Sequence, residues 1–127
     1  MARQDIQSLL KLRRSERNTC RAALSEMVSR CAALAEQKRA VQMELRSLDE
    51  LPSDADAQSL ADRDARRQYL SRELRLYGRK LILAQEQERL ARENFMESQK
   101  QVRAIEEFLE KRKTATQWEL RRREERN

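Results

Sequence analysis

A chain of 127 residues in which 39% are hydrophobic and 39% charged has room for one domain but too little bulky apolar material for a thick core. With a formal charge of +6, no histidine and one glycine, it lacks the commonest general base and metal ligand and cannot form a Gly-rich phosphate loop. Composition therefore argues against an enzyme and against a bound cofactor or metal. Straight-chain helix formers dominate and turn punctuation is sparse, which predicts an all-α chain.

The first element is a helix over about 3–50. Along it runs a seam with positions alternating four and three apart: Ile6, Leu10, Arg13, Arg17, Cys20, Leu24, Met27, Cys31, Leu34, Lys38, Val41, Leu45 and Leu48. All but Arg13, Arg17 and Lys38 are apolar, and an average period of 3.5 held this long marks a coiled-coil helix. Cys20 and Cys31 both fall on the seam, about 16 Å apart along the helix, too far to bridge each other. They read as small buried hydrophobes in a reducing compartment. The charged start of the chain and the lack of eighteen consecutive apolar residues predict a cytoplasmic protein with no membrane span.

The helical pattern breaks strongly at one place, a turn over about 51–56. Pro52 removes a backbone donor and disfavours helix at Leu51. Ser53 or Asp54 is then placed to cap a second helix over about 57–125, and Asp54 and Asp56 suit the positive end of its dipole. A second seam follows at Leu60, Arg63, Arg67, Leu70, Leu74, Tyr77, Leu81, Ala84, Glu88, Ala91, Phe95, Ser98, Val102, Ile105, Leu109 and Arg112. Two long helices joined by so short a loop predict an antiparallel coiled-coil hairpin. A fold-back centred near residue 53 sets Ile6 beside about Lys100 and leaves residues beyond 105 as an overhang of roughly 30 Å. Gly78, mid-helix, reads as a tolerated or close-packing position rather than a hinge.

Charge is segregated along the hairpin. Residues 3–21 carry Arg3, Lys11, Arg13, Arg14, Arg17 and Arg21 against Asp5 and Glu16, a net +4. Residues 111–127 carry Lys111, Arg112, Lys113, Arg121, Arg122, Arg123 and Arg126 against Glu119, Glu124 and Glu125, again +4. The turn region, 49–64, sets Asp49, Glu50, Asp54, Asp56, Asp62 and Asp64 against Arg63, a net −5. A hairpin with a basic open end and an acidic tip follows. Arg13 and Arg17 are the sharper feature, because two successive seam guanidiniums must open the seam, pair with carboxylates or face another protein.

A second apolar line lies off the seam. Tyr69, Leu76, Leu83 and Leu90 recur every seven residues, with Ile82 and Met96 beside them, at a heptad position turned well away from the partner helix. They form either part of a broad or shifted core or a docking surface for a second copy or a different partner. Arg121, Arg122 and Arg123 form a basic cluster, yet interleaved acidic residues and an aromatic content of 4% argue against nucleic acid as the partner. Four basic residues, Arg13, Arg14, Arg17 and Arg21, precede a heptad Leu24, Cys31, Lys38, Leu45, which makes a poor zipper for sequence-specific DNA binding.

A short chain of two long antiparallel helices, with a longer charged C-terminal helix and an Arg-rich open end, resembles the YscO/FliJ family of central stalk proteins of type III secretion and flagellar export. The resemblance covers nearly the whole chain and rests on length, architecture and charge. It implies a hairpin similar to the paired terminal helices of the F-type ATPase γ subunit, set in the pore of a hexameric export ATPase and linking it to the export gate, with export chaperones as further partners and a monomer favoured. In that picture Arg13, Arg14, Arg17, Arg121, Arg122 and Arg123 face the ATPase, and Asp49, Glu50, Asp54 and Asp56 face the gate. The competing expectation is a generic coiled-coil adaptor or scaffold that dimerises through Tyr69, Leu76, Leu83 and Leu90; a basic nucleic-acid-binding coiled coil ranks third.

Overall fold

The computed structural model describes the backbone of residues 2–50 and 56–127 and the side chains of 4–50 and 56–127. It is an all-α helical hairpin of two elements, α1 (Ala2–Asp49) and α2 (Ala57–Arg126). Helix α1 closes with the amide of Glu50 donating to the Arg46 carbonyl at 3.2 Å. Helix α2 opens on Asp56, whose Oδ1 accepts the Ser59 amide at 2.8 Å while its carbonyl accepts the Leu60 amide at 3.0 Å. Asp56 is therefore the N-cap, satisfying one of the free donors of the first turn. Ser53 and Asp54, the caps expected from sequence, lie outside the described residues, as do Leu51 and Pro52.

Contacts divide the chain into two units, Met1–Leu24 with Ala91–Asn127 and Ser25–Leu90. In each, a stretch of α1 packs against a stretch of α2. All thirteen positions of the first seam are buried or half-buried, and on α1 the other shielded residues described are Glu16 and Ala35. On α2 the seam is shielded at every predicted position except Leu60, Arg67 and Arg112. Burial is shallow: Leu10 and Val102 in the first unit and Cys31, Leu70 and Ala84 in the second form the fully buried apolar core of the described residues, which includes no buried charge. A lone pair of helices has one contact line, so most seam side chains keep one flank in water.

The register differs from the sequence expectation. In the first unit Arg14 pairs with Glu106 at 3.2 Å, Ser98 Oγ donates to Cys20 Sγ at 3.3 Å, and the Arg21 guanidinium lies 5.7 Å from the centre of the Phe95 ring. Ile6 is thus level with about residue 112, not with Lys100. In the second unit Arg67 reaches Asp49 at 2.7 Å and Arg66 reaches Glu44 at 2.9 Å, so α2 has run some ten residues before it meets the end of α1. The first turns of α2 hold Ala57, Leu60, Ala61 and Ala65 as their apolar material, all exposed. Leu70, only 3% exposed, is the first position able to clamp α1, and it sets the register. The pairing therefore continues past residue 105, and the overhang shrinks to the turns beyond Gln117, about 14 Å.

Helix α2 passes through Gly78 with no positive φ, and a Cβ added there meets no atom within 4 Å. Close packing is not the reason for a glycine at this position. Gly78→Ala should stabilise the chain by about 0.5–1 kcal/mol through helix propensity and lost unfolded-state entropy, read as a higher urea midpoint at unchanged slope. A destabilised variant would contradict the open surroundings.

Candidate interaction surfaces

The arginines expected at the open end fall into two groups with different surroundings. Arg13, half-buried, pairs with Glu16 at 3.0 Å within α1, and Arg14 pairs across the helices with Glu106. Arg17 lies half-buried on the seam with its Nη2 donating to Asn18 Oδ1 at 3.4 Å, while its Nε is shielded and has no hydrogen-bond partner. Arg121, Arg122 and Arg123 are exposed and make no hydrogen bond or ion pair with any described residue. With a rise of about 1.5 Å per residue, Arg121 stands about 22 Å along α2 from Glu106, so the six arginines do not converge on one patch. The region 3–21 neutralises part of its own charge, while Arg121, Arg122 and Arg123 stand unpaired among the described residues on the last turns of α2.

Between these groups the same unit has an open groove of about 650 Å³, floored by Leu10 and Leu109 and rimmed by Arg14, Glu106, Arg112 and Lys113. Sequence reading missed it, because the expected register left Leu109 on an unpaired overhang. Phe108, Trp118 and Leu120, all exposed on α2, were also not singled out from the sequence. They fall on no common heptad line, so periodicity gave no signal.

Two of the three described residues of the acidic set are engaged within the hairpin. Asp49 holds Arg67 and Asp56 caps α2, whereas Glu50 is exposed with no carboxylate partner among the described residues; Asp54 lies outside them. The Ser59 backbone amide, and then its hydroxyl, hold the Asp56 carboxyl below its ordinary range by hydrogen bonding to the charged form.

The outward line on α2 is real. Tyr69, Leu76, Leu83 and Leu90 are 51%, 43%, 60% and 47% exposed, so they are not part of a broad or shifted core. Ile82 and Met96 are exposed beside them. On the opposite side Cys31 is buried, and desolvation, reinforced by the hydrogen bond and negative charge of Glu88, pushes its thiol pKa up. That makes it a poor nucleophile. Both cysteines are free thiols.

Among the described residues no cluster of three or more His, Cys, Asp or Glu side chains is arranged to hold a metal ion, and no helix is long and apolar enough to cross a membrane. No family model, curated protein or solved structure matches the chain.

Because the folded-state pKa of Asp56 is lowered, its contribution to stability is present above the unfolded value of about 3.9 and is lost as pH falls through the folded value. Asp56→Asn keeps a capping oxygen but removes the titration. The stability difference between the parent chain and this variant should therefore shrink on acidification below about pH 4, measured by urea unfolding across a pH series. Parallel pH curves for the two proteins would show that the carboxylate charge contributes nothing to the cap.

Proposed function

We propose that the chain is a non-enzymatic stalk protein of the YscO/FliJ type, which inserts the cationic end of its hairpin in a hexameric secretion ATPase and links that ring to an export gate. The observation that carries this reading is the free state of Arg121, Arg122 and Arg123, exposed on the last turns of α2 without partners among the described residues. Three unneutralised guanidiniums on one helical end suit an acidic pore, both by steering approach and by offering forked donors to carboxylates. Arg13 and Arg14 contribute less, since Glu16 and Glu106 already hold them. Among the described acidic residues expected at the tip, Glu50 is the one without an internal partner and so the one free to meet a gate protein. Export chaperones are further partners in this reading, and the site of action is the cytosolic face of the secretion apparatus.

The work of such a stalk is mechanical, and a continuous 70-residue helix without an interior break is suited to transmitting displacement. The test is the turnover of a purified cognate ATPase hexamer with and without this protein. The parent chain should bind and raise turnover, and the triple reversal Arg121→Glu, Arg122→Glu, Arg123→Glu should weaken binding by about tenfold or more, with a smaller effect for Arg13→Ala and Arg14→Ala. Absence of both binding and stimulation, or indifference to the triple reversal, would sink the proposal.

A further inference from the structure

We infer that the outer face of α2 is an interface between two copies of this chain, paired antiparallel about a two-fold axis at Leu83. The inference does not rest on the stalk reading, since it uses neither the end of α2 nor the turn. Tyr69, Leu76, Leu83 and Leu90, all exposed, keep a seven-residue period over about 32 Å of one unbroken helix. A strict repeat of seven stays in line with a partner helix that supercoils around α2, whereas against a flat surface it drifts by about 20° per heptad.

Charge on the flanks of this line identifies the partner and its register. Three residues beyond each apolar position stand Arg72, Arg79, Glu86 and Glu93, all exposed. Two cations followed by two anions are their own complement when the order is reversed. A two-fold axis across antiparallel helices brings each flank against the same flank of the other copy. With Leu83 at the axis, Arg72 faces Glu93 and Arg79 faces Glu86 of the other copy, and the reciprocal pairs form by symmetry. The same alignment sets Leu76 against Leu90 and Leu83 against itself. On the other flank Glu73 meets Asn94 and Lys80 meets Gln87, so no like charges are opposed there. In the single chain Arg72 and Arg79 make no hydrogen bond or ion pair with any described residue, so each gains a carboxylate on pairing rather than exchanging one. Glu86 already holds Arg89 of its own helix, and an ionised carboxylate, with about four acceptor sites, can accept a second guanidinium.

Other alignments oppose like charges on these flanks. In a parallel pair each residue of the flank faces its own counterpart. An antiparallel slip of one heptad towards Leu76 sets Arg79 on Arg79 and Lys80 on Lys80, and a slip towards Leu90 sets Glu86 on Glu86 and Arg72 on Lys100. In the Leu83 register the one like-charge approach is further round the helix, between Arg75 and Arg89, and Glu86 already holds Arg89. A partner helix of single sign would meet its own charge on half of this face, and an anionic lipid surface would meet Glu86 and Glu93.

Analytical ultracentrifugation of the full chain over about a hundredfold range of concentration tests the pairing. A reversible dimer is expected, weakened by more than about tenfold in Leu83→Glu, which sets two carboxylates at the axis. The variant Arg72→Glu with Arg79→Glu has four anions on the flank, and Glu86→Arg with Glu93→Arg has four cations. Each alone should dimerise at least about tenfold more weakly than the parent, and an equimolar mixture of the two should recover dimer. All five side chains are exposed, so circular dichroism should report intact helices in every variant. The inference is overturned by a parent chain that stays monomeric, including one whose Leu83 face is instead taken up by phosphatidylglycerol vesicles. It is equally overturned by a dimer indifferent to Leu83→Glu, or by one that both charge variants form as well as the parent does, the behaviour of a parallel pair.

Discussion

Two helices share one line of contact, and a helix that packs on a single neighbour can bury about one stripe of its surface. That constraint governs the rest of this molecule. It explains why Leu10, Cys31, Leu70, Ala84 and Val102 form its deep core while the remaining seam residues stay half-exposed. It also explains why guanidiniums are tolerated on the seam. Arg13 and Arg17 are only half-buried, so each keeps part of its hydration, and Arg13 adds a carboxylate from the next turn. In a thick core the same residues would be far more costly to bury.

A single contact line leaves register weakly specified along the helix, because heptads resemble one another and a slide by seven residues preserves the seam. What fixes the register here is the uneven distribution of bulk. From Ala57 to Leu70 the second helix is mostly charged and small, and Leu70 is its first deeply buried residue. Polar pairs then match across the helices, Arg14 with Glu106 in one unit and Asp49 with Arg67 in the other. These pairs are exposed and individually weak. Their value lies in penalising the slipped alternatives, in which the same charges would lose their partners.

The fold and both seams were legible in the sequence because period 3.5 is a property of residue spacing alone, and the interruption predicted from Pro52 has a local cause. The outward direction of Leu76, Leu83 and Leu90 was legible for the same reason. Register was not. Placing Ile6 beside Lys100 assumed that the helices pair from the turn onward, and the poverty of apolar side chains between residues 57 and 69 defeats that assumption. The groove floored by Leu10 and Leu109 was hidden by the same error. Asp56 shows a different limit. Several acidic residues near a turn are equivalent by composition, and only backbone geometry shows which one turns inward to cap and which, like Glu50, remains available to a partner.

A basic chain is often read through its net charge, yet +6 describes no surface of this molecule. Its informative property is which charges are matched. Arg13, Arg14, Arg66 and Arg67 have carboxylate partners, and replacing such a partner with one from another protein exchanges one ion pair for another, with little net gain. Unmatched cations give up only hydration when a carboxylate arrives, so the same contact contributes more. By that criterion the last turns of α2 at Arg121, Arg122 and Arg123 are a favourable place for an acidic partner. Exposed Trp118 and Leu120 stand three residues before Arg121 and Arg123, so apolar side chains lie beside those cations. Exposed apolar area stabilises a complex while charge selects the partner and its orientation, and the last turns of α2 supply both.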